Sequence, residues 1–346
     1  MKSSSELIAK QVFSVNAFYN KKQNQTKILF FKCLKEKKSV EYFEKELSKI
    51  WDDVDHKFMD KQIYKLKKLV HSNNVEEALN LGRMEKEYEK TMNWVIDDEY
   101  FKLTPESEFT KFEQKFKNNV DKQFKASQKA IDNMDEEEYL TKKIDSYNKN
   151  INQVITYFNS EGKSVRQVQL SSYLSMIHNT NLTRSGWNQT MGDSELLGKT
   201  SFIIPYHSFS CPHCLEYQNR VLTKFQVENI IGVEAREQTG DILHPNCKCT
   251  LSIYWDRSQI TIDPIKKALY AGNNAEEYYK LRQKANTLTL ERSNLRTDMK
   301  IADDLGDQAK ADQCRQRINA INKTIRDIKE QLPTEEMQKQ ITAIKR

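Results

Sequence analysis

The sequence predicts a mainly α protein with a small α+β middle domain: an amino-terminal helical bundle, a Cys/His-knuckle domain, and a carboxy-terminal helical hairpin or coiled coil. Three observations lead there. Charged residues make up 30% of the 346 residues, and only 9 Gly and 6 Pro interrupt them, a composition of long, solvated helices. Apolar residues recur at steps of three and four toward both ends of the chain, the period of one helix face. Half of the prolines and four of the six cysteines gather at 201–263, where the texture turns to short β-prone runs.

The first domain is expected over 1–160. Helices are predicted from Ser5 to Tyr19, from Thr26 to His71 with a break, and from Val75 to Tyr100. Thr104-Pro105 supplies a cap and a first-turn proline for the stripe Phe109, Phe112, Phe116, Val120, Phe124. Asp135 and the acidic run Glu136–Glu138 precede a second stripe, Leu140, Ile144, Tyr147, Ile151, Val154, Phe158. These stripes are read as packing between helices rather than as a binding groove.

The middle domain is expected over 161–263. A helix is predicted from Ser164 to His178, continuing toward Met191, and then strands at Ser201–Tyr206, Ile230–Val233 and Thr250–Trp255. The third domain, 264–346, is helical. Leu281, Leu288, Leu295 and Ala302 recur every seven residues, and Ile318, Ile321, Ile325, Ile328 and Leu332 step by three and four, with a turn signal at Asp303–Asp307 between them.

The net charge is +6, and residues 264–346 hold 17 Lys/Arg against 12 Asp/Glu. That excess makes the last arm the basic one, but charge alone fits an ordinary solvated surface as well as a phosphate backbone. No membrane segment is expected: no stretch approaches the roughly 18 apolar residues of a spanning helix, and residues 1–16 lack the apolar run of a signal peptide.

Specific chemistry is concentrated in one segment. Cys211 and Cys214 are separated by two residues, Cys247 and Cys249 by one, and His244 lies three before Cys247. Two thiolates on a tight turn grip one tetrahedral ion, and a second pair closes the site. Pro212 and Pro245 stiffen the two turns. The expected site is a structural zinc drawn from Cys211, Cys214, His244, Cys247 and Cys249, with His244 replacing one cysteine of the short second pair. His207 and His213 flank the first pair. Reduced core cysteines, or a disulfide formed outside the cell, remain open as other uses. Cys33 and Cys314 read as lone packed thiols. No catalytic residue is assigned: there is no Gly-rich phosphate loop, nucleophile elbow or His-Glu-x-x-His. An open zinc would need a carboxylate base, for which Glu216 and Asp241 are near in sequence.

The stretch His207-Ser-Phe-Ser-Cys211-Pro-His-Cys214, then Tyr217-Gln218-Asn219-Arg220-Val221, then Leu243-His244-Pro245-Asn246-Cys247-Lys248-Cys249 and Tyr254, resembles the phage minor capsid protein 2 family and the wider group of Mu-type head morphogenesis proteins. Trp187-Asn188-Gln189-Thr190 upstream and Leu305-Gly306-Asp307 downstream are similar to flanking segments of that family, so the likeness covers roughly 165–330. Asn219 stands where the family usually has Gly, Cys249 where one branch has His, and Ile253 where a Pro often precedes the Tyr. The resemblance implies a non-enzymatic minor head protein of a tailed bacteriophage, in host cytoplasm during assembly and in the virion afterwards. It implies docking on the portal protein or the major capsid protein, with further copies of itself and packaged DNA as other partners. Two alternatives are carried beside it: a DNA-binding module, and a metal-dependent effector enzyme delivered with the particle.

Overall fold

Long helices dominate the chain, as its sparse glycine and proline predict. The computed structural model describes residues 4–52, 54, 56–80, 105–132, 135–152, 155–158, 164–231, 247–260, 267 and 274–342. In order they form α1 (Ser4–Lys35), α2 (Val40–Trp51), α3 (Lys57–Asn80), α4 (Glu106–Ile131) and α5 (Glu136–Tyr147). A hairpin of β1 (Ile155–Phe158) and β2 (Ser164–Val168) follows, then α6 (Leu170–Leu196), β3 (Ser201–Ile203), α7 (Pro212–Leu215), β4 (Val221–Thr223), α8 (Lys224–Ile231) and β5 (Ser252–Ile253). The last helices are α9 (Ala275–Leu305), α10 (Gln308–Glu330) and α11 (Glu335–Thr342). The fold is mainly α with a small α+β part. No helix among the described residues is long and apolar enough to cross a membrane.

Several boundaries differ from the expected ones, for local reasons. The stripe from Leu140 to Phe158 does not stay helical: α5 gives way to a π-helical turn at Asn148–Asn152, and Ile155–Phe158 becomes a strand. β1 pairs antiparallel with β2, Ile155 opposite Val168, so the expected helix at Ser164 starts instead at Leu170. Ile155, Thr156, Tyr157 and Phe158 are all β-branched or aromatic, and a paired strand suits them better than a helix turn. The expected strand at Ile230 is helix through Ile231. A reciprocal cap decides it: the Gln226 side chain accepts from the Thr223 amide at 2.9 Å, and the Thr223 hydroxyl accepts from the Gln226 amide at 3.2 Å. Val75 falls inside α3, and the remainder of the expected helix to Tyr100 lies outside the described residues. Pro105 occupies the cap position of α4 itself.

The chain divides into two compact units, one from residues 1–14, 56–104 and 176–282, the other from 15–55, 105–175 and 283–346. The second unit has an aromatic core. The Phe43 and Phe124 rings stack at 3.8 Å, and Phe30 meets Phe124 and Tyr147 edge-on at 5.5 and 5.1 Å, the geometry ring quadrupoles favour. Asp135 caps α5, its carboxylate accepting from the Glu138 amide at 2.8 Å. Asp135→Ala is expected to cost about 1 kcal/mol in chemical denaturation, the usual loss for an N-cap. α9 and α10 form the antiparallel hairpin, turning at Gly306 with φ +86°. Arg317 Nε donates to Glu291 and Arg292 Nη1 to Asn322 across it. The leucines of the seven-residue stripe are only half-buried, whereas Ala285, Ile301 and Ala302 are buried.

In the first unit, Ile8 of α1, Leu66 and Val70 of α3 and Leu182 of α6 form an apolar seam. Polar ties accompany it. Asp193, fully buried, accepts from Asn74 Nδ2 at 2.7 Å and Gln189 Nε2 at 2.8 Å and bonds His71 Nδ1 at 2.7 Å. His178, also buried, bonds Gln62 Oε1 through Nε2 at 2.8 Å. Burial pushes its pKa down to about 4, below the roughly 6.5 of an exposed imidazole. The unfolded chain therefore binds a proton that the folded chain refuses, and stability falls as pH drops from about 6.5 toward 4. The expected contribution is up to about 3 kcal/mol. The denaturation midpoint of the protein should fall with pH across that window more steeply than that of His178→Gln, which has no imidazole to protonate.

Candidate metal centre

The two thiol-bearing turns meet. Pro212 opens the short helix α7, and Cys211 caps it, its sulfur accepting from the Cys214 amide at 3.3 Å. Cys214 Sγ then lies 3.6 Å from Cys247 Sγ, although 33 residues separate them. The sulfurs of Cys214, Cys247 and Cys249 are all within 4.8 Å of one another, and all three residues are buried. They can hold one metal ion. Cys211 belongs to the same buried cluster, with Trp187, Phe202, Ile204, Leu222 and Leu251 around it. His244 lies outside the described residues.

What positions Cys247 and Cys249 is helix α6. Asn179 Nδ2 and Thr183 Oγ1 donate to the Cys247 carbonyl at 2.9 and 3.2 Å. Trp187 Nε1 donates to the Cys249 carbonyl at 2.8 Å, and Thr190 Oγ1 to that of Leu251 at 3.2 Å. Asn179 and Thr183 share one carbonyl; from Thr183 onward, steps of four and three along the helix advance about 6 and 4.5 Å, against roughly 6.6 Å for two residues of extended chain. One helix face thus reads alternate carbonyls of 247–251 and sends the side chains of Cys247 and Cys249 to the same side. The segment continues into β5, which pairs with β3, Phe202 opposite Ile253, while β4 covers the other edge of β3. This ladder escapes sequence reasoning because its halves lie more than 60 residues apart; its one signal is the spacing of Asn179, Thr183, Trp187 and Thr190.

Two further side chains reach the cluster. Gln218 Nε2 donates to Cys249 Sγ at 3.4 Å, and His207 Nε2 lies 3.4 Å from the same sulfur. The electrostatics favour a cation among these groups. Contacts with the sulfurs of Cys211, Cys247 and Cys249, and then burial, push the Cys214 thiol far above its ordinary value. Cys214 draws the Cys249 thiol down, but Cys247 and burial outweigh it and leave Cys249 raised. Burial keeps His207 neutral, partly offset by the Ser208 carbonyl. Crowded thiols lose their protons together when a dication neutralises them. A tetrahedral ion with metal–sulfur bonds of about 2.3 Å needs sulfurs about 3.8 Å apart, which the 3.6 Å separation of Cys214 and Cys247 matches.

Cys33 and Cys314 are buried lone thiols, the first pushed up to about 11 by burial. A cavity of about 330 Å³ abuts the cluster, lined among others by His207, Cys249, Trp187, Asn74, Glu77 and Gln259. Burial raises the Glu77 carboxyl, and Gln259 Nε2 donates to it at 3.2 Å. No protein-family model, curated protein or solved structure matches the chain.

Proposed function

We propose that this chain is a non-enzymatic structural component of a tailed-phage head, a minor capsid or head-morphogenesis protein whose middle region is clamped by a structural zinc ion. The observation that carries the reading is the convergence of Cys214 and Cys247, 3.6 Å apart at their sulfurs, on residues of the two motifs through which the sequence resembles the minor capsid protein 2 family. A second feature supports it. Asn219, standing where that family usually has Gly, takes φ +59°, a left-handed conformation that Gly adopts freely and Asn tolerates. Its amide donates to the Ile204 carbonyl at 2.6 Å, so the turn that follows the first thiol pair is tied back beside β3.

Zinc suits the donors, since thiolate and imidazole ligands on short turns define structural zinc sites. In this role the ion replaces a large core: β3, β4 and β5 have only three, three and two residues, too little sheet to stand alone. The helical remainder supplies surface for the portal protein, the major capsid protein or further copies, and the basic carboxy-terminal arm suits contact with packaged DNA. The reading is tested by mass spectrometry of density-purified particles of the phage that encodes the chain. The protein is expected in DNA-filled heads at a few copies each. Its presence in infected cells but absence from those particles would contradict the assignment.

The cavity beside Cys249, with the Glu77 carboxyl in its wall, favours one other reading, a metal-dependent hydrolase with Glu77 as base. That reading needs a position on the ion open to the cavity, and a fourth protein ligand there removes it.

A further inference from the structure

The cluster has three mutually close sulfurs and two neighbours competing for the fourth position, Cys211 and His207. We propose that His207, not a fourth cysteine, completes the centre as a Cys3His site with Cys214, Cys247 and Cys249, and that the buried Arg282 is its counter-charge. The proposal rests on the metal reading above and deepens it.

Geometry comes first. Four ligands around one ion form six edges, grouped as opposite pairs. Cys214–Cys247 is one edge at 3.6 Å, and His207 Nε2–Cys249 Sγ is the edge opposite to it at 3.4 Å. Bonds of about 2.3 Å to sulfur and about 2.1 Å to nitrogen require edges of roughly 3.8 and 3.6 Å, close to these two; His207 must still move inward as the ion binds, since only the three sulfurs lie within 4.8 Å of one another. The imidazole is oriented for the task. His207 Nδ1 lies 3.0 Å from the Ser208 carbonyl; that acceptor places the ring proton on Nδ1 and leaves the Nε2 lone pair toward the sulfurs. Metal-bound histidines are commonly held by such a partner.

The backbone between His207 and Cys211 is strained in a way that serves this arrangement. Phe209 sits at φ +60°, a costly conformation for a bulky residue, which persists where the surroundings enforce it. The kink brings His207 and Cys211 to one cluster within five residues. It also turns the Phe209 ring under the guanidinium of Arg282, whose carbon is 4.9 Å from the ring centroid.

Charge decides between the two candidate ligands. Arg282 is 9% exposed and has no carboxylate partner among the described residues. A buried cation without a counter-ion is expensive. Three thiolates and one dication leave a single negative charge, which Arg282 balances. Four thiolates would leave two. Cys211 then keeps its other task, accepting the Cys214 amide at the start of α7.

The test is zinc K-edge X-ray absorption on the full-length, zinc-loaded protein, on His207→Ala and on His207→Cys. The wild type is expected to show three sulfurs and one imidazole. His207→Ala should lose the imidazole signature and bind zinc at least about a hundredfold more weakly, and His207→Cys should gain a fourth sulfur. Four sulfurs in the wild type, or an imidazole that survives His207→Ala and so belongs to another histidine such as His244, would overturn the proposal while leaving the metal reading intact. Failure of the wild type to bind zinc at all would overturn both. For the counter-charge, Arg282→Met is expected to weaken zinc binding about tenfold in chelator competition and Arg282→Lys to keep it; equal affinities in all three proteins would remove Arg282 from the site.

Discussion

Cys214→Ser is expected to unfold the sheet region of the first unit while leaving the helices of the second folded. Cys214 is 1% exposed, its sulfur faces that of Cys247, and it is one of the three mutually close thiols. On the proposed metal reading, the substitution removes a ligand and leaves the remaining sulfurs without an ion that would let them ionise together. Structural zinc contributes on the order of 10 kcal/mol to small domains, comparable with the whole stability of a typical domain. The apolar cluster here includes the four cysteines themselves, so little remains to hold three strands of two or three residues. Hydrogen exchange should show amides at 201–204, 221–223 and 247–253 losing protection, with those of α4 and α5 unchanged. Cys33→Ala, at a buried thiol remote in sequence from the motifs, should cost about 1–2 kcal/mol and leave metal content intact. Equal and global loss in both variants would argue against a local clamp.

The second large effect is expected at Lys27 and Asp298. Their ion pair is buried, with the Lys27 side chain 1% and that of Asp298 10% exposed. Lys27 Nζ also reaches the Ile144 carbonyl and Asn148 Oδ1 at 3.5 and 3.4 Å and lies 5.1 Å from the Tyr147 ring centroid. Burial pulls the ammonium down and the carboxyl up, and each partner opposes that pull on the other. Removing one partner strands the other, at about 3–5 kcal/mol; replacing both by apolar groups is often neutral. Lys27→Met is therefore expected to lose about 3–5 kcal/mol in urea denaturation, and Lys27→Met with Asp298→Leu to regain most of it. The pH dependence of the single variant follows. With Lys27 gone, burial holds the folded pKa of Asp298 above its unfolded value, so the variant is least unstable at low pH and worsens as pH rises through the folded value. A double variant as unstable as the single would place the loss in packing rather than charge.

How far the sequence revealed this molecule varied with the range of the forces involved. The cluster of Cys214, Cys247 and Cys249 was legible because closely spaced thiols stand out in a sequence, and Cys211-x-x-Cys214 and Cys247-x-Cys249 carry that spacing within a few residues. Helices with strong stripes, such as Phe109–Phe124, were legible because burial follows a local period. The passage from α5 to β1 was not, since Phe158 continues the helical stripe as readily as it joins a strand until β2 offers its hydrogen bonds. The α6 ladder was hidden for the same reason in stronger form: Asn179 and Thr183 look like ordinary polar helix residues until the Cys247 carbonyl, 68 and 64 residues away, is placed above them. His207 was visible only as a neighbour of the first thiol pair; its Nε2 direction depends on the Ser208 carbonyl and the Phe209 kink.

All of this depends on one ion joining the two turns. Native mass spectrometry of the protein purified without chelator, paired with elemental analysis, tests that most directly. One zinc per chain is expected, released by a strong chelator together with loss of protection at 247–253. A metal-free chain whose sheet region stays equally protected with and without chelator would contradict the account.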